Sequence, residues 1–181
     1  DGLGQADHRQ ERVRRSVQAL IPRPSGSAGA PGSRSCHNLR MPILSPSDAA
    51  RVREMLASLP NPVRLVFFTQ TLNCETCGPT KQILGEVAEL SEQISVEEHN
   101  FLLEGELAAT YGIDRVPAIA VVGAQDYGIR FLGIPSGYEF MSLLDAIQMV
   151  SAGDSGLNDA SRALLAGLES PLALQVFVTP T

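Results

Sequence analysis

Apolar and polar positions along the chain follow two periods, which predict a regular succession of helices and strands. A helical period of three to four residues runs through four segments, residues 47–59, 77–90, 104–112 and 136–150. Short apolar runs rich in β-branched and aromatic residues lie between them, at residues 63–69, 94–101, 117–122 and 129–133. The predicted order of elements is therefore α-β-α-β-α-β-β-α.

The first and last strands define the kind of sheet. The run "VRLVFFT" (63–69) is nearly continuously apolar, as expected of a strand buried on both faces. The turn "GAQDYG" joins the last two strands as a hairpin. Ser47 is the expected N-cap of the first helix, and "PNP" ends that helix. These features predict an α/β protein with a mixed central sheet of about four strands and helices on both faces.

The N-terminal part of the chain differs in composition from the rest. Gly, Pro, Ser and Ala dominate residues 22–33, a composition that buries too little apolar surface to offset chain entropy. We expect residues 1–44 to form a disordered tail and residues 45–152 to form the folded domain. Met41 opens the well-patterned part, and the hypothesis is that natural translation starts there and that residues 1–40 are upstream read-through.

Charge and hydropathy exclude two classes of partner. Residues 1–40 carry seven arginines and three acidic residues, a net charge of +4, so the remainder of this −6 chain carries −10. An acidic body argues against a nucleic-acid surface, which needs clustered Lys and Arg. No run approaches the roughly 18 apolar residues of a membrane span, and no secretory signal is evident. The sequence predicts a cytoplasmic protein without nucleic-acid or membrane partners.

The end of the chain repeats an earlier segment. "VFVTPT" (176–181) matches "VFFTQT" (66–71), and the helical pattern before each also aligns. Such self-similarity indicates an internal repeat about one small domain long. We therefore expect residues 153–181 to be a linker helix and the first strand of a truncated second unit.

Two cysteines, Cys74 and Cys77, follow the first strand in "FFTQTLNCETCGPTKQILGEVAEL" and admit three interpretations. A structural zinc site needs about four ligands, and Cys36, His37, His8 and His99 lack ligand spacing. A structural disulfide closing so short a loop removes little entropy from the unfolded chain. A reversible dithiol is the third possibility.

Position favours the dithiol. A cysteine between a buried strand and a helix has its sulfur near unpaired N–H groups and the positive end of the helix, which stabilise the thiolate. Cys74 is the expected nucleophile and Cys77 the resolving thiol, close enough to attack a mixed disulfide at Cys74. Glu75 and Thr76, between them, are expected to tune the pair and to contact substrate.

Pro117 is a third candidate residue. It lies 40 residues after Cys77, a separation that allows the chain to return beside the dithiol through one βα unit. Proline has no backbone N–H to donate, and a cis bond before it would hold the backbone of Val116 ready to pair with a substrate peptide. The sequence therefore predicts a substrate-binding edge at Val116 and Pro117.

The motifs "FFTQTLNCETC", "YGIDRVPAI" and "YGIRFLGIPSGYEF" resemble the first unit of the protein disulfide oxidoreductases. These are glutaredoxin-like proteins of two fused thioredoxin-fold units, and the likeness covers residues 46–181. It implies a thioredoxin-like fold, a redox-active disulfide at Cys74 and Cys77 with no other cofactor and no metal, and a cis-proline at Pro117. It also implies reduction, oxidation or isomerisation of protein disulfides in cell redox homeostasis. The implied partners are protein disulfides, an NADPH-dependent thioredoxin reductase and a peroxiredoxin.

Two departures from ordinary thioredoxins bear on the chemistry. Asn73 replaces the tryptophan before the first cysteine, and Phe68 stands where those proteins keep a buried carboxylate that assists proton transfer. Glu97 and His99 are the candidate replacements for that base, although both also fit ordinary surface positions. The alternative function is a redox-inactive thioredoxin-fold unit that docks substrates for a catalytic second unit.

Overall fold

The computed structural model describes residues 41–178, so the predictions for residues 1–40 and 179–181 lie outside the described residues. These described residues form four strands: β1 (Val63–Thr69), β2 (Ile94–Asn100), β3 (Ala118–Val122) and β4 (Asp126–Leu132). The described helices are α1 (Pro46–Leu56), α2 (Cys77–Ala88), α3 (Gly105–Thr110), α4 (Tyr138–Ala152) and α5 (Asp159–Ala166). Up to α4 their order is the one that the hydrophobic pattern predicts.

The strands form one mixed sheet in the order β2-β1-β3-β4. Strand β1 pairs in parallel with β2 and antiparallel with β3, which pairs antiparallel with β4. Four consecutive side chains of β1, Leu65 to Phe68, have no exposed surface. The expectations of a mixed four-stranded sheet and of a first strand buried on both faces are confirmed.

Helices cover the sheet unequally, and we name its two faces accordingly. The broad face carries α1, α2 and α4, which pack Leu56, Leu84, Leu144 and Ile147 against the β1 side chains Leu65 and Phe67. The narrow face carries the short helix α3, and its core is smaller. Its buried residues are Val66, Phe68, Ala108, Ile113, Ala118, Ala120 and Val122. Most of the hydrophobic stabilisation therefore comes from the broad face.

The first helix begins two residues earlier than the sequence suggests. Ser45, and not Ser47, is the N-cap: its hydroxyl accepts the backbone N–H of Asp48. Pro46 occupies the first turn, where its missing N–H costs nothing because that group would have no helical partner. The prediction of Ser47 as the cap was therefore wrong, because Ser45 followed by proline is the stronger start signal.

Residues 41–44, which we assigned to the tail, make defined contacts with α2. The Glu86 carboxylate accepts the backbone N–H groups of Ile43 and Leu44, each at 2.8 Å. Gln82 donates its side-chain amide to the carbonyl of Met41 at 2.8 Å. We call residues 41–45 the strap, because they lie along the helix that begins at Cys77.

Beyond α4 the chain is exposed. Helix α5 falls within the expected linker helix and has no buried residue. Residues 171–178 have no regular secondary structure. We expected a strand at residues 176–181, and the last three of these lie outside the described part. Such a strand would need a neighbouring strand to pair with. The second unit therefore stays a prediction. None of the helices in residues 41–178 is long and apolar enough to cross a membrane.

Candidate active site

The loop after β1 is shaped by its own polar side chains. The side-chain amide of Gln70 donates to the carbonyl of Leu72 at 2.8 Å, which closes the loop on itself. Asn73 has a φ of 56°, in the left-handed region that asparagine tolerates better than most residues. This turn leads directly to Cys74, which lies between the loop and the start of α2.

Cys74 and Cys77 are joined by a disulfide bond, with their Cα atoms 5.4 Å apart. Cys74 is partly exposed, whereas Cys77 is only 4% exposed. Cys77 is the first residue of α2, and Cys74 lies in the turn three residues before it. The predicted helix start at Cys77 is confirmed. The buried sulfur thus lies at the helix start, and the accessible sulfur is bonded to it.

The first turn of α2 leaves backbone donors near the disulfide. Its N-cap, Thr76, makes no side-chain capping bond, and Pro79 at the third helical position has no N–H to satisfy. The Thr76 carbonyl accepts both the N–H of Thr80, at 3.0 Å, and its buried hydroxyl, at 2.7 Å. A helix start without a side-chain cap keeps its partial positive charge available to a negative sulfur.

A cavity of about 630 Å³ opens beside the disulfide. The β1–α2 loop, the first turns of α2 and the end of β2 surround it. Its lining residues are Thr69, Gln70, Thr71, Cys74, Glu75, Cys77, Gly78, Lys81, Glu98, Asn100 and Glu104. The site is therefore polar and open to a partner from the β2 side of the sheet.

An ion pair and a histidine–carboxylate hydrogen bond border this cavity. Lys81 of α2 bonds to Glu98 of β2, between side chains that are 55% and 41% exposed. His99 Nδ1 lies 2.7 Å from Glu104 Oε2, and the other oxygen of Glu104 accepts the N–H of Asn100 at 2.8 Å. The bond from His99, with that from Asn100, lowers the pKa of the Glu104 carboxyl below its usual range.

The two bases proposed from sequence do not face the dithiol helix. In the β1–β2 register Glu97 pairs with Val66 and His99 with Phe68, both narrow-face residues. Glu97 bonds to Arg64 at 3.1 Å, and the His99 ring packs 5.6 Å from that of Phe68. Glu98 pairs with Phe67 on the broad face, toward α2. The strand carboxylate that lies toward the cysteines is thus Glu98, which the sequence pattern did not single out.

The peptide bond between Val116 and Pro117 is cis, which confirms the expectation for this bond. Phe68 pairs with Ala118 across β1 and β3. Pro117 therefore lies at the end of the sheet at which the cysteine loop follows β1. The Pro117 carbonyl accepts the N–H of Gly133 at 2.8 Å. Val116 is partly exposed and packs on the narrow-face core.

The structure groups the sequence-derived candidates into two sets. Cys74, Glu75 and Cys77 line the cavity, whereas Thr76 is exposed without lining it, and Val116 and Pro117 lie at the same end of the sheet without lining it either. The residues that sequence reasoning missed are Lys81, Glu98, Asn100 and Glu104. A signal for one of them was present, because Lys81, the only lysine of the chain, follows Cys77 by four residues and so shares its helix face.

A mixed sheet with helices on both faces, a disulfide at the start of a helix and a cis-proline at the same sheet end together define a thioredoxin-like fold. No family model matches the chain. A probable thioredoxin of Methanothermobacter thermautotrophicus is 31% identical over 84 residues, which cover 93% of that protein and 46% of this chain. The chain belongs to the thioredoxin family.

Two larger proteins are also similar. The structure of a protein disulfide oxidoreductase from Aeropyrum pernix superposes with a TM-score of 0.62 and 28% identity, over 68% of this chain and 55% of that one. One component of the alkyl hydroperoxide reductase of Staphylococcus epidermidis is 32% identical over 102 residues, or 56% of this chain. The match spans only 18% of that component. The resemblance to disulfide oxidoreductases inferred from sequence motifs is confirmed.

Proposed function

We propose that this chain exchanges its Cys74–Cys77 dithiol with disulfides of other proteins. The observation that supports this most directly is the unequal exposure of two bonded sulfurs beside an open cavity. An accessible Cys74 can meet a partner, and a buried Cys77 can reach only Cys74. This asymmetry supports a nucleophilic role for Cys74 and a resolving role for Cys77.

The reaction proceeds in two exchanges. The Cys74 thiolate attacks one sulfur of the substrate disulfide, forms a mixed disulfide and releases the other sulfur as a thiolate. The Cys77 thiolate then attacks Cys74, which reforms the Cys74–Cys77 bond and releases the second substrate thiolate. Two electrons pass to the substrate, whose thiolates take up the two protons that the cysteines lost. A dithiol reductant returns the protein to its reduced form by the same steps in reverse.

Substrate contacts follow from the position of the accessible sulfur. Glu75 and Thr76 flank it and are exposed, so they meet any polypeptide that reaches Cys74. Val116, at the same sheet end, offers backbone groups to an extended peptide. We assign Glu75, Thr76 and Val116 to the substrate surface, and the buried Pro117 to the support of Val116 beneath that surface.

Insulin reduction with dithiothreitol tests the activity. The wild-type chain should accelerate precipitation of the insulin B chain, and Cys74→Ser should be no faster than dithiothreitol alone. Cys77→Ser should accumulate a mixed disulfide with a protein substrate, visible as a reducible adduct on a gel. Equal rates for the wild type and Cys74→Ser would reject an enzymatic role.

The second candidate is a docking unit without redox activity of its own. The likeness to a small part of the Staphylococcus epidermidis hydroperoxide reductase component favours it, because that protein is more than five times the length of the matched segment. A docking unit would bind a reduced or oxidised partner with the same affinity in the wild type and in Cys74→Ser. An oxidoreductase would form the covalent adduct only when Cys74 is present.

The partners we propose are protein disulfides as substrates, an NADPH-dependent thioredoxin reductase as electron source and a peroxiredoxin as acceptor. The relative in Staphylococcus epidermidis, part of a hydroperoxide reductase, supports the last two. Following NADPH oxidation in a mixture of the chain, a thioredoxin reductase and a peroxiredoxin with peroxide tests them. A rate that does not depend on the chain would exclude this route.

A further inference from the structure

We infer that Lys81 and Glu98 form a switchable ion pair that tunes the reactivity of the dithiol, Lys81 by stabilising the thiolates and Glu98 by competing for the Lys81 ammonium. This inference rests on the proposed exchange chemistry. It assigns to the pair the tuning that a buried carboxylate cannot give here, because Phe68 fills that position with a fully buried ring.

The helix geometry brings Lys81 to the sulfurs. Cys77 and Lys81 are four residues apart on α2, so their Cβ atoms are about 5–6 Å apart on one face. Side chains in a helix lean toward its N-terminus, which directs Lys81 back over Cys77. Both residues, with Cys74, line the same cavity.

Charge makes Lys81 distinctive in this cavity. Among the described residues that line it, Lys81 is the sole cation, whereas Glu75, Glu98 and Glu104 are carboxylates. Glu104 is engaged by His99. A thiolate formed beside three carboxylates is disfavoured unless a positive charge lies near, and Lys81 supplies it.

The pairing with Glu98 belongs to the oxidised state. A disulfide carries no charge, so in the structure the Lys81 ammonium bonds to Glu98. Reduction and ionisation create a negative sulfur that competes with Glu98 for the same flexible side chain. Both side chains are about half exposed, so solvent screens the interaction and the expected effect is moderate.

The first test measures thiolate reactivity and needs no protein substrate. Iodoacetamide alkylation of reduced Cys74, at a pH below the thiol pKa, should slow roughly three-fold in Lys81→Gln and remain near the wild-type rate in Lys81→Arg. Glu98→Gln should accelerate it by a similar factor. The differences should shrink in about 1 M salt.

The matched control is the neighbouring Glu97→Gln. It removes one carboxylate from the same strand, but from the narrow face, where Glu97 bonds to Arg64. It should leave the alkylation rate unchanged. Equal rates for Lys81→Gln and Lys81→Arg, or for Glu98→Gln and Glu97→Gln, would overturn the inference.

The second test uses the fact that Lys81 is the single lysine of the chain. Lysine labelled with ¹³C at Cε gives one side-chain signal, and in the reduced protein this signal should move with the same midpoint as thiolate absorbance at 240 nm. In the double variant Cys74→Ser/Cys77→Ser, which forms no thiolate in this cavity, that movement should vanish. A Lys81 signal that ignores thiolate formation in the wild type would reject the coupling.

The two proposals fail separately. Insulin reduction can be absent while alkylation and the lysine signal still respond to Lys81 and Glu98, in which case the switchable pair stands and the enzymatic role falls. Insulin reduction can equally be present with alkylation indifferent to both residues, in which case only the pair is rejected.

Discussion

The two faces of the sheet use polar side chains for different purposes. On the narrow face, charged residues bond to one another and to the backbone away from the disulfide: Arg64 bonds to Glu97, and Arg130 bonds to Asp126 and to the carbonyl of Tyr111. On the broad face an apolar core of helices and strands holds the structure, and the Lys81–Glu98 pair lies at its rim beside the disulfide. The broad-face ion pair therefore lies beside the dithiol, whereas the narrow-face pairs do not line that cavity.

The largest expected effect compares the two cores. Leu84→Ala removes a fully buried side chain of α2 from the broad face, and Ile113→Ala removes a 5% exposed one from the narrow face. We expect losses in the free energy of unfolding of about 4 and about 2 kcal/mol, because the denser three-helix core relaxes less around a cavity. Urea denaturation of the oxidised proteins measures both. A larger loss for Ile113→Ala would reverse the ranking of the two faces.

A buried polar bond at the end of the broad face is the next test. The Ser151 hydroxyl, on a residue 1% exposed, donates to the Asn61 carbonyl at 2.6 Å and accepts the Asn61 N–H at 3.0 Å. Ser151→Ala leaves both backbone groups without this partner and should cost about 2 kcal/mol. Ser142→Ala, at an exposed position of the same helix, is the control and should change the free energy of unfolding by less than about 0.5 kcal/mol. Similar losses for both would show that this bond contributes little.

The difference between the faces also explains what the sequence could predict. The broad-face helices and β1 could be predicted because their continuous apolar periodicity dictates burial. The motif "NCETC" identified the two cysteines of the site. The pairing of Lys81 with Glu98 was not readable, since it depends on the β1–β2 register that places Glu98, and not Glu97, toward α2. The strap was missed because two N–H groups bonded to Glu86 leave no hydrophobic pattern.

The strap gives a pH-dependent test on the broad-face helix. Partial burial of Glu86 opposes its ionisation, but the N–H groups of Leu44 and Ile43 and the amide of Gln82 together lower the pKa of its carboxyl. A carboxyl whose pKa is lowered by folding stabilises the protein above its ordinary pKa, and this contribution is lost as pH falls through the lowered value. In urea unfolding, the contribution of Glu86 to the free energy of unfolding should disappear as the pH falls from about 5 toward 3.

The corresponding variant is Glu86→Gln, which keeps the size of the side chain and removes the charge. It should be less stable than the wild type by about 1 kcal/mol at neutral pH and converge with it in acid. Glu89→Gln, at an exposed position one turn later, should change the free energy of unfolding at neutral pH by less than about 0.5 kcal/mol. A constant gap between Glu86→Gln and the wild type would mean that the strap does not depend on the charge.

The smallest stability effect is expected where each face loses its β2 ion pair. Arg64→Gln breaks the narrow-face pair with Glu97, whose side chains are 44% and 39% exposed, and Lys81→Gln breaks the broad-face pair with Glu98. Each should change the free energy of unfolding by less than about 1 kcal/mol, because exposed pairs gain little over their hydration. Urea midpoints and alkylation rates measured on the same two proteins then separate the faces. A stability loss in Lys81→Gln well above that in Arg64→Gln would mean that the broad-face pair is structural. Equal small losses, with slower alkylation only in Lys81→Gln, would mean that Lys81 acts on the reduced dithiol.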